Sequence, residues 1–221
     1  MIELKQMELK SPGGVFLMDL KEFQEIKNLT YTEYCDYLVQ KYGPAKYDYM
    51  TKAYNKNQKI SRTKEGLVCH HRMENKAIML SDKIWAQKFP FEYQLKENLV
   101  YCDYLEHLYL HVLICKYPEP IDPQYFVGFG GVVNFIVPEL NDVYSGFCSG
   151  KEWQKNCYDK VINDEDVYYA ILQEFINVMQ ERGFKISPID LQTSFNSKYG
   201  IWIQNNNLRV NSKIQNLKYD S

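Results

Sequence analysis

Four side chains in this chain of 221 residues can carry imidazole chemistry, and all four fall between Glu65 and Lys116. His70 and His71 are adjacent, whereas His107 and His111 stand four residues apart. On a helix, a spacing of four puts two side chains on one face, where they can share a cation. Adjacent residues of a strand point to opposite sides while the strand is regular. At a strand end, His70 and His71 can therefore divide two tasks, one binding a metal and one handling a proton. Metal-assisted hydrolysis needs an activated water, neutralised developing charge and help for the departing group. A neutral imidazole supplies the first and a divalent metal the other two.

Between the pairs, Asn98 heads the apolar run Leu99-Val100-Tyr101-Cys102. His-His, then Asn-Leu-Val, then His-x-x-x-His resembles the signature of HNH, or ββα-metal, endonucleases, nearest to the colicin-DNase kind. The resemblance covers residues 65–117. It implies that His70, His107 and His111 bind one divalent metal, that His71 is the general base, and that Asn98 holds the loop orienting it. Three imidazoles suit Zn²⁺, Ni²⁺ or Mn²⁺, with Mg²⁺ favoured only by availability. Many members of that family carry two C-x-x-C pairs for a structural zinc, and this chain has none. The interval from His71 to Asn98 is also longer than the minimal motif.

To position these residues, Gly66–His71 and Leu99–Cys102 must be short strands and Asp103–Cys115 a helix, stopped by the prolines from Pro118 onward. The expected fold class is α+β, a ββα core with mainly helical additions on both sides. Residues 1–64 form an N-terminal helical and basic region, 65–117 the nuclease-like core, and 118–221 a C-terminal α+β region suited to specificity or oligomerisation. Ser81 caps a short helix from Asp82 to Lys88 inside the long connection. Thr30 and Glu33 make a capping box for a helix ended by Gly43-Pro44. Asp164–Arg182 is the strongest helix, with an acidic first turn and a periodic apolar stripe. Residues 149–158 form a shorter one. Phe126–Val137, apolar and broken by glycines, reads as strand or buried loop. Gly128-x-Gly130-Gly131 lacks the spacing of a phosphate-binding loop. Gly200–Ile203 suggests a strand, and residues 1–14 a short strand or loose arm.

Residues 45–64 interleave lysines with tyrosines. Lys59, Arg62 and Lys64 either contact phosphates or belong to a solvated loop. Arg72 either contacts the scissile phosphate or pairs with Glu74. Glu106 reads as a solvated helix residue, the alternative being a partner that orients an imidazole. Cys69, Cys102 and Cys115 read as core, as do Trp85, Trp153 and Trp202.

The net charge of −2 gives no global attraction to nucleic acid, so a binding surface must be local. Six cysteines without a C-x-x-C pair, and no long apolar run, imply free thiols in a cytoplasmic protein with no membrane partner. The leading reading is a DNA endonuclease acting on double-stranded DNA, as a homodimer if both strands are cut. The rivals are an RNA-directed or toxin-like nuclease, and a silent nucleic-acid-binding protein with a structural metal. Ligating histidines must be neutral, so the sequence predicts weaker metal binding as pH falls through ~6.5.

Overall fold

Asp19 and Thr30 start the first two helices by offering side-chain oxygens to the free amides of the opening turn. The computed structural model describes residues 18–119, 127–147, 150–195 and 204–219. Asp19 accepts from the Glu22 amide to cap α1 (Leu20–Ile26). Thr30 and Glu33 form the expected capping box on α2 (Tyr31–Tyr42), which ends at Gly43 with φ +80°. The N-terminal arm and the strand suggested at 200–203 lie outside the described residues.

Strand β1 (Val68–His71) pairs antiparallel with β2 (Leu99–Cys102), His70 opposite Val100 and His71 opposite Leu99. The chain between them makes a 3₁₀ turn at Arg72–Asn75 and then α3 (Lys83–Ala86). Asp82, one residue beyond the expected Ser81, caps α3 by accepting from the Ile84 and Trp85 amides, and the helix is shorter than the sequence suggests. Directly after β2 comes α4 (Tyr104–Lys116), opened by an Asp103–Glu106 capping box. Apart from His107 and Lys116 every residue of α4 is buried, the pattern of a helix surrounded by the core. The result is an α+β fold, mostly helical, with its strand pair packed on α4.

Phe126–Val137 departs from the strand-or-loop expectation. Phe129–Gly131 is α-helical, Val132–Ile136 forms a π-helical segment, and Val137–Tyr144 continues the helix; together they are α5. Burial of Val132, Ile136 and Val137 in the main core overrides the strand preference of their β-branched side chains. Further on come α6 (Glu152–Val161), α7 (Glu165–Glu181), α8 (Pro188–Leu191) and α9 (Gln204–Gln215). One hydrophobic cluster runs from Met18 to Ile214, so residues 65–117 share their core with both flanks. A second cluster, including Tyr49, Ile60, Leu67, Leu99 and Tyr101, closes the other side of the strand pair.

Glu106 is neither solvated nor an imidazole partner. It is fully buried, accepts from Lys41 at 2.8 Å and from the Tyr42 hydroxyl at 3.1 Å, and Lys41 also pairs with Glu22. Burial opposes the charge of Lys41, yet the two carboxylates hold its ammonium above the usual range. Among the described residues no helix is long and apolar enough to cross a membrane.

Candidate metal centre

The end of β1 and one face of α4 converge. Ring centroids of His70, His107 and His111 form a near-equilateral triangle with sides of 5.2, 5.3 and 5.0 Å. The 3₁₀ turn after β1 folds Glu74 back into this triangle. Its carboxylate lies 3.5 Å from His70 Nδ1 and 3.4 Å from His111 Nε2. One donor atom from each of His70, Glu74, His107 and His111 can be chosen so that all lie within 4.8 Å of one another.

These separations are long for hydrogen bonds, which cluster near 2.9 Å. The two Glu74 separations are close to the edge of a coordination shell instead. Ligand bonds of about 2.05 Å at tetrahedral angles put neighbouring donors about 3.3 Å apart, and imidazole centroids about 5.2 Å apart. His70, Glu74, His107 and His111 form a group that could hold a metal ion.

The surroundings favour one tautomer of His70 and of His71. The Tyr31 hydroxyl, on α2, lies 2.9 Å from His70 Nε2 and donates to the His71 carbonyl at 3.4 Å. With the hydroxyl proton on the His71 carbonyl, Tyr31 is free to accept from His70 Nε2–H, an arrangement that puts the Nδ1 lone pair toward the cluster. Gln94 acts similarly on His71. Its amide NH₂ donates to the Leu80 carbonyl at 3.1 Å, aiming Oε1 at His71 Nε2, 3.3 Å away. His71 Nδ1 is then the bare nitrogen, 3.4 Å from Glu74. His70 Nδ1 and His71 Nδ1 are both buried and without a hydrogen-bond partner, as donors awaiting an acid are.

Burial lowers the pKa of His70 to about 3, with His111 and His71 adding to the shift against the pull of Glu74. Burial, with His111 and His70 nearby, takes His107 well below its ordinary value. Both rings are therefore neutral at physiological pH, the state that binds metal. Burial would raise the Glu74 carboxyl, but His70, His111 and His71 around it hold it well below the usual carboxylate range. The donor set is three imidazoles and one anion, which suits Zn²⁺ and its neighbours in the first transition row.

The glycines that do not make a phosphate loop serve the site sterically. A Cβ on Gly131 would stand 2.3 Å from His111 Nδ1, and one on Gly128, where φ is +88°, would meet Cys115, Ile114 and the His111 carbonyl within 3.0 Å. Only a glycine surface lets α5 lie this close to the His111 ring. Glu74, His107 and His111 open onto a cleft of about 910 Å³ between the strand pair and α5.

The structure brings together three of the four histidines as expected and adds Glu74, which the sequence offered only as a partner for Arg72. Arg72 instead pairs with Asp36 at 2.6 Å. His71 lies beside the group, 1 % exposed, its ring 4.3 Å from that of Tyr49. Asn98 closes the 3₁₀ turn before β2 and donates to the Glu92 carbonyl at 2.8 Å. Arg62 lines the cleft, but its guanidinium grips Glu65 and the Tyr42 carbonyl. Lys59 lies over the Tyr47 ring and Lys64 is exposed; neither is among the described lining residues of the cleft, nor is Arg72. Cys102 and Cys115 are buried and Cys69 is partly so, all apart from the donor group. Trp85 is half-buried, Trp153 is 43 % exposed rather than core, and Trp202 lies outside the described residues.

Comparison with protein-family models, with curated proteins and with solved structures finds no match. What stands on geometry alone is an antiparallel strand pair followed by a helix, carrying a histidine and glutamate group fit for a metal ion.

Proposed function

We propose that this chain is a metal-dependent endonuclease of the HNH, or ββα-metal, kind that hydrolyses phosphodiester bonds in DNA. The observation that carries the reading is the gathering of His70, Glu74, His107 and His111, with donor atoms within 4.8 Å of one another, on a strand-strand-helix frame that opens onto a cleft. A divalent ion held there would neutralise the phosphate and assist the departing alkoxide. His71, whose Nε2 faces Gln94 Oε1 at 3.3 Å, would serve as the base that takes a proton from water. Asn98, through Glu92, steadies the turn that precedes β2. Residues 118–221 supply one wall of the cleft through α5 and α6, while residues 1–64 supply Lys56 to the cleft and Tyr31 to the His70 ring. The test is cleavage of plasmid DNA, and of RNA, with Mg²⁺, Mn²⁺, Ni²⁺ or Zn²⁺ beside chelator and His71→Ala controls. Metal-dependent cleavage of DNA that vanishes in His71→Ala supports the reading, and cleavage of RNA alone moves it to the RNA-directed form.

Glu74 favours a second reading. Four protein donors complete a tetrahedral shell, the mark of structural zinc, whereas catalytic sites keep a position open. On that reading the protein binds nucleic acid without cutting it, and removing Glu74 destabilises the fold. On the nuclease reading Glu74→Ala keeps a three-histidine site and retains metal at lower affinity.

A further inference from the structure

The wall of the cleft opposite the strand pair is out of character for a surface that only grips phosphates. Phe135, on the π-helical segment of α5, is 52 % exposed, and Trp153, near the start of α6, is 43 % exposed. Both line the same cleft as Glu74, His107 and His111. Met79, 40 % exposed and held at φ +54°, adds a third apolar side chain to the lining. Large apolar groups exposed together around a polar floor mark a binding site. On the other wall stand Lys56 and Arg62, the latter already paired with Glu65, while Glu74 is the single carboxylate among the described lining residues.

From this pairing we propose that the cleft receives an unpaired polynucleotide strand, with bases stacked on Phe135 and Trp153 and the backbone directed to Lys56 and the metal group. This rests on the nuclease reading and names the form of its substrate. A duplex keeps its base faces stacked inside, so an exposed ring gains little from it. An unpaired strand presents every base face, and aromatic platforms beside a cationic track are the general means of holding one. The charge of the lining agrees, since binding a divalent cation at Glu74 would leave no free carboxylate among the described lining residues to repel phosphate. The sugar is left open by the geometry, so deoxy and ribo strands are separate arms of the test.

The experiment measures fluorescence anisotropy of the full-length, Zn²⁺-loaded protein with labelled oligothymidylate and oligouridylate of about twelve nucleotides, and with a hairpin duplex. All probes carry phosphorothioate linkages to resist cleavage. An unpaired strand should bind at least about tenfold tighter than the duplex, and Phe135→Ala and Trp153→Ala should each weaken it by about 5- to 150-fold. Both side chains are exposed, so circular dichroism of the variants should match the parent. Quenching of tryptophan emission on binding should disappear in Trp153→Phe. Equal or tighter binding of the duplex, or no effect of the two alanine variants, overturns the proposal. If duplex plasmid is still cut in a His71-dependent way, the nuclease reading survives that result. Failure to bind either form, with no cleavage of DNA or RNA, overturns both.

Discussion

Replacing Tyr31 by phenylalanine isolates the role of one oxygen atom. The ring, 4 % exposed and in edge contact with His70, stays in place, and only the hydroxyl at 2.9 Å from His70 Nε2 is lost. His70 is fully buried, so its Nε2–H then has no acceptor, at a cost of about 1–3 kcal/mol. Nothing then holds the proton on Nε2, and the lone pair on Nδ1 is no longer guaranteed to face Glu74 and His111. Losing such an outer partner of a ligating histidine typically weakens metal affinity by about 10- to 100-fold. Competition with a chromophoric chelator reads that loss directly. Thermal denaturation of the metal-free variant should fall by about 2–4 °C for each kcal/mol. A dissociation constant within about threefold of the parent would refute the tautomer argument, because it would mean His70 turns to the metal unaided.

Other perturbations probe separate parts of the site. Gly131→Ala places a methyl group 2.3 Å from His111 Nδ1, so metal affinity should fall with a stability loss of about 1–3 kcal/mol; Gly130→Ala, whose nearest neighbour is Asn134 at 3.5 Å, should change neither. Equal affinities for the two variants would remove the steric argument. Lys41→Met strands Glu106 and Glu22 without their cation, and urea denaturation should show a loss of about 3–5 kcal/mol; a loss below about 1 kcal/mol would mean the triad is replaceable. His70 has a folded pKa of about 3 against an ordinary 6.5, so below 6.5 the unfolded chain takes up a proton that the folded chain refuses. The metal-free protein should therefore keep this stability above pH 6.5 and lose it between 6.5 and about 3, at about 1.4 kcal/mol per pH unit from His70 alone. Denaturation midpoints that stay level across that window would show that the ring is open to solvent.

The meeting of His70 with His107 and His111 was legible because a strand end and a helical turn have fixed periodicities. Glu74 was not, since it reaches the group through a 3₁₀ turn whose geometry no spacing rule announces. Its neighbour Arg72 suggested a local ion pair, but Asp36, distant in sequence, takes that role. Thr30–Glu33 and Asp103 declare their helices locally, whereas α5 is helical because its apolar residues pack on α4 and into the main core. Glycines 128 and 131 looked like breakers and prove to be clearance for His111. Free imidazoles would release metal as pH falls through ~6.5, but burial removes His70 and His107 from that range.

The most direct measurement is calorimetric titration of chelator-treated protein with Zn²⁺, repeated on His107→Ala and on the His70→Ala, His107→Ala double variant. A single saturable site per chain is expected, strongly weakened in the single variant and absent in the double. Absence of saturable binding to the parent, or an unchanged site in the double variant, would contradict the metal centre and everything built on it.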